Sequence, residues 1–125
     1  MNRILIAVIF ALAAPVAAAD AASARDIARC KAMSASFGPK QEEVAKLKEA
    51  RDTQVETVEA TGDAWENAEA LRNFSTAHAA DADAAKLAYT DAKAELSRLE
   101  LGLQARVAEL NADIDAFNQS CTAKN

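Results

Sequence analysis

The sequence predicts an all-α protein: a long antiparallel helical hairpin, coiled-coil-like, with a short N-terminal helix and closed by a disulfide between Cys30 and Cys121. Three observations lead there. About a quarter of the chain after residue 19 is alanine, and Glu, Lys, Leu, Gln and Arg fill much of the rest, all strong helix formers. Apolar residues recur at helical spacing over two long stretches, and no run of Val, Ile, Thr or aromatics alternates with period two as a strand would. The two cysteines stand near the two ends of that helical region.

The first element is a leader. Met1, Asn2 and Arg3 give a positive start, Ile4 to Ala14 an apolar run, and Pro15 to Ala19 a small-residue close before Asp20, the regions of a cleavable signal peptide in order. Residues 1–19 are therefore expected to be removed, leaving 20–125 as a single helical domain. The apolar stretch, about 16 residues, falls short of the roughly 20 that span a bilayer, so no membrane insertion is expected after cleavage. Cys30 follows the polar stretch 25–29 rather than a cleavage point, which argues against a lipid anchor. Export places the chain in the periplasm or outside the cell, where thiols are oxidised.

Helices are expected over about 21–36, 39–73 and 78–118. Gly38 and Pro39 separate the first from the second, with Pro39 at the first helical position of the latter and Gln41, Glu42 and Glu43 suited to the positive end of its dipole. The second carries Val44, Leu47, Val55, Val58, Trp65, Ala68 and Leu71 near one stripe, interrupted by Gly62. In the third, Leu96, Leu99, Leu103, Leu110, Phe117 and Cys121 make a coiled-coil seam. Arg106 and Asp113 fall on that seam, with Val107 and Ile114 beside them. The polar patch 73–78 is the expected turn.

A Cys30–Cys121 bond fixes a register. Facing residues in an antiparallel hairpin have numbers with a constant sum, here 151, which puts the turn near residues 75 and 76. It sets Phe37 opposite Ile114, Val44 opposite Val107, Val55 opposite Leu96, and Gly62 opposite Tyr89. The alternative is a kink at Gly38–Pro39 that folds the first helix back as the third member of a bundle. Free thiols or an intermolecular bridge are the alternatives for the cysteines.

No catalytic, cofactor or metal site is expected. Ser75, His78 and Asp81 would share a helical face, but no nucleophile elbow or Gly-rich turn accompanies them, and His78 reads as a solvated histidine of the turn. One histidine and two distant cysteines lack zinc spacing, and Lys86 and Ala92 occupy the glycine and glutamate places of a calcium loop beginning at Asp81. A net charge of -5 without a basic patch argues against nucleic acid. The expected role is an exported interaction or structural protein presenting a helical face to another envelope or secreted protein. Candidate protein contacts are Trp65, Leu71, Phe74 and Tyr89. Self-association as a dimer would cover the apolar edge that a two-helix seam leaves open. The alternative is a periplasmic stress chaperone, or holdase, using apolar helical faces.

Overall fold

The computed structural model describes residues 16–122, so residues 1–15 of the expected leader lie outside the described residues. Residues 16–122 form an antiparallel helical hairpin: α1 (Val16–Leu71), a short 3₁₀ helix (Arg72–Phe74), and α2 (Thr76–Cys121), with no strand among the described residues. At 1.5 Å per residue the arms are about 84 and 69 Å long. Cys30 and Cys121 are bonded, with Cα atoms 5.6 Å apart, so the bridge lies within one chain. Because α2 stops at Cys121, the part of α1 before Cys30 projects beyond its partner.

The register expected from the cysteines holds where Gly62 faces Tyr89, whereas Phe37, expected opposite Ile114, packs on Phe117 one turn further along. A Cβ placed on Gly62 would lie 3.3 Å from Tyr89 Cε2, so the glycine admits the ring that faces it. At the closed end, the 3₁₀ helix and Ser75 make the reversal where the sum of 151 puts it. Phe37 meets Phe117 edge to face, with ring centroids 5.5 Å apart.

Gly38 and Pro39 do not divide α1. The expected helices 21–36 and 39–73 are one element, so the short N-terminal helix is the first part of the long arm and no third member folds back. An interior proline costs about 3 kcal/mol, yet three local features lower or offset that cost here. Gly38 has no Cβ to clash with the proline ring. Residues 34, 35, 38 and 39 are exposed, so the carbonyl released four residues back, at Ala35, lies on the water side. On either side of the pair, Phe37 and Lys40 are tied to α2.

Two helices offer each other one stripe apiece, and burial is correspondingly thin. Among the described residues only Ala82 (0% exposed) and Ala92 (7%) are buried. The expected seam residues, from Val44, Leu47, Val55 and Val58 on α1 to Leu96, Leu99, Leu103 and Leu110 on α2, are half-buried. Two expected apolar members are not. Leu71 is 46% exposed because α1 ends there and the partner arm has already turned away; Val107 is 37% exposed because it lies one residue off the line through Leu103 and Leu110.

Polar residues complete the seam. Gln54 Nε2 donates to the Ala92 carbonyl at 3.0 Å. Near the open end, Lys40 pairs with Glu109 at 3.1 Å and with Asp113, and Arg106 bridges Glu43 at 2.9 Å and Glu109 at 2.6 Å. Arg106 and Asp113, the charged residues on the expected seam, thus serve as cross-arm ion pairs. Hydrogen bonds that the Lys40 ammonium donates to Asp113 and then to Glu109 raise its pKa above the usual range. Arg106, followed by Lys40, holds the Glu109 carboxyl below its own.

Candidate functional site

The closed end of the hairpin gathers the four residues singled out in the sequence, in two settings. Ser75 has an extended backbone (φ -166°, ψ 167°) and caps α2: its Oγ accepts from the His78 N–H at 3.2 Å. The same hydroxyl lies 2.8 Å from His78 Nδ1, to which it donates when the ring carries its proton on Nε2. The Ser75 carbonyl accepts from Ala79 N–H at 3.1 Å. His78 is therefore a half-buried residue of the first turn of α2, not a solvated loop residue. The Ser75 hydroxyl is engaged as a helix cap, a role worth about 1 kcal/mol.

Arg72 braces the reversal from the other side. Its Nε donates to Glu69 at 2.8 and 2.9 Å and its Nη2 to Asp83 at 2.6 Å, linking the end of α1 to the start of α2. Bonds to Asp83 and then Glu69 hold the guanidinium proton more firmly than usual. Phe74 stands out from this braced turn at 76% exposure, with the His78 ring tilted beside it at 6.0 Å between centroids. Leu71 flanks it.

Trp65 and Tyr89 sit farther down the seam. Their rings stack with centroids 5.5 Å apart and 25° between planes, both half-buried beside Gly62. Lys86 Nζ lies 5.8 Å from the Trp65 ring and Lys93 Nζ 5.2 Å from that of Tyr89, within cation–π range. Trp65 Nε1 is covered and has no hydrogen-bond partner among the described residues. This pair fills the seam, and Leu71 and Phe74 are the members that face water. The structure brings the four into one end of the rod without placing them on one surface.

At the opposite end, an open groove of about 630 Å³ lies beside the disulfide, lined by Asp26, Ile27, Lys31, Phe117 and Ser120 among others. It exists because α1 outruns α2. Ile27, 58% exposed, is the apolar residue it leaves in water. Sequence reasoning missed this groove: a helix upstream of Cys30 is expected, but the break at Gly38–Pro39 leaves open whether it stays in line with the long arm, as it does. No group of three or more His, Cys, Asp or Glu is arranged for a metal ion among the described residues, and none of their helices is long and apolar enough to cross a membrane. No protein-family model, curated protein or solved structure matches the chain.

Proposed function

We propose that the chain is an exported interaction protein whose mature form, residues 20–125, offers the closed tip of its hairpin to another envelope or secreted protein. The observation that carries this reading is the exposure of Phe74 and Leu71 on a turn held by the Arg72 bridge and the Ser75 cap. A large apolar side chain fixed in position loses little freedom on docking, the economy on which binding hot spots rest. The leader at 1–19 and the Cys30–Cys121 bond both fit an oxidising destination.

The test pairs an exposed residue with a seam residue. Phe74→Ser with Leu71→Ser is expected to abolish crosslinked capture of the partner from the native envelope while leaving the melting temperature of the isolated protein unchanged. Trp65→Ala is expected to lower stability by about 2 kcal/mol or more. Capture that survives Phe74→Ser and Leu71→Ser contradicts the reading, and an N-terminus other than one close to Asp20 contradicts export by this leader. Exposed Ile27, Leu87 and Leu101, spread along the rod, support a second reading as a holdase. Light scattering of an aggregating client separates the two, since a holdase suppresses it at sub-equimolar ratio and a dedicated partner-binding tip does not.

A further inference from the structure

The face of α2 turned away from α1 carries an ordered pattern that the tip does not explain. From residue 77 to residue 112, in alternating steps of three and four, it reads Ala-Ala-Ala-Leu-Asp-Ala-Arg-Leu-Ala-Ala-Ala, and every one of these positions is exposed. The two leucines are Leu87, 62% exposed, and Leu101, 65% exposed. Each position lies two residues from one on the seam, about 200° round the helix at 100° per residue. One helix therefore has apolar stripes on opposite sides, and α1 covers only one of them.

The outer stripe is a palindrome in which Asp and Arg exchange. Laid against itself in the opposite direction, with the centre at Ala94, it sets Leu87 beside Leu101, Ala beside Ala, and Asp91 beside Arg98. That is the self-complementarity of an isologous two-fold contact, in which residue i meets j and j meets i. The charges agree only for antiparallel pairing: a parallel copy in register would set Asp91 on Asp91 and Arg98 on Arg98. The run of about 35 residues extends some 50 Å, and its alanines permit close approach of two helix backbones.

The opposite side of the hairpin excludes itself from this role. On α1, Asp52, Glu56, Glu59, Asp63 and Glu66 recur in the same three-and-four steps, all exposed, and no Lys or Arg occurs from 53 to 71. Two such ridges repel each other.

We propose that two copies of the chain dock through the outer faces of their α2 helices, antiparallel about Ala94, into a four-helix assembly whose α1 ridges remain in water. The contact leaves both tips outside it, so it stands whether or not the tip has a partner.

Sedimentation equilibrium of the disulfide-closed mature protein tests this. The wild type is expected to be dimeric, Leu87→Glu with Leu101→Glu to be monomeric at unchanged helicity, and Glu59→Lys to leave the association constant as it was. Asp91→Arg alone and Arg98→Asp alone are each expected to weaken association by roughly tenfold or more, and the two together to restore it. A monomeric wild type at all concentrations overturns the proposal, as does a dimer insensitive to Leu87→Glu with Leu101→Glu, or a double charge exchange no tighter than either single one.

Discussion

The two arms share one seam and differ on the side that faces away from it. The outer ridge of α1 is acidic from Asp52 to Glu66, whereas that of α2 is alanine punctuated by Leu87 and Leu101, with Asp91 and Arg98 between them. Both stripes have the same steps of three and four residues and the same two-residue offset from the seam. Period alone therefore says that a helix has a stripe, and chemistry says whether the stripe is covered or solvated. A hairpin with one wet arm and one apolar arm is sided, and sidedness distinguishes a building block from an isolated rod.

Measurements that bear on this contrast range from large effects to small. The largest concerns the bond that ties the arms together. Closing a loop between residues 91 apart stabilises by about 4–5 kcal/mol on the chain-entropy model, so Cys30→Ser with Cys121→Ser is expected to lower the urea midpoint by that equivalent. Amide exchange is expected to speed up at the open end, near Ile27 and Phe117, well before it does beside Trp65. Uniform loss of protection along both arms would show that the bridge does more than close a chain.

Next comes the contrast between the two sides of α2. Leu103 is half-buried in the seam and Leu101 points away. Leu103→Ala is expected to cost about 2 kcal/mol or more, and Leu101→Ala to change the stability of a dilute monomer by less than about 0.5 kcal/mol. Chemical denaturation at low protein concentration reads both, and equal costs would erase the distinction between faces.

Glycines sharpen the comparison by smaller steps. Gly102 has nothing within 4 Å of an added Cβ, so Gly102→Ala is expected to stabilise α2 by about 0.5–1 kcal/mol. Gly38→Ala meets equally open space across the hairpin but adds a Cβ before Pro39, and it is expected to gain nothing or to destabilise. Equal gains at the two sites would mean that the proline is tolerated for another reason.

The smallest expected effect is in acid. Glu109 is held below its usual range by Arg106 and Lys40, so its contribution to stability is present above the ordinary glutamate pKa and is lost as pH falls through the lowered one. Glu95, held down by Arg98 on the exposed side of α2, behaves alike. A pH series of thermal midpoints is expected to fall below the ordinary carboxylate range, and Glu109→Gln to make that fall shallower.

Much of this fold was legible in the residues, and for a traceable reason. Two cysteines in helical stripes imply a register, and a register can be checked against shape: Gly62 opposite Tyr89 is a small residue meeting a ring, as the structure has it. Pro39 misled because interior proline normally ends a helix, and the compensation from Gly38 and the cross-arm contacts of Phe37 and Lys40 exists only once α2 is in place. The candidate site divided for the same reason. Trp65 and Tyr89 are drawn into the seam by Gly62, while Leu71 and Phe74 lie past its end. The palindrome on α2 was present in the sequence from the start. In a chain this rich in alanine it is one of several stripes, and only knowing which side faces α1 separates it from the rest.

The central claim, that α2's outer face is covered by a second antiparallel copy while α1's outer ridge stays in water, is tested most directly by photo-crosslinking. Benzoylphenylalanine in place of Leu87 is expected to give a covalent dimer whose crosslinked peptide contains Leu101 of the other copy, and the same group in place of Asp63 to give none. A peptide that contains position 87 itself, a dimer formed from position 63, or no dimer from position 87 at concentrations where the protein sediments as one, would contradict it.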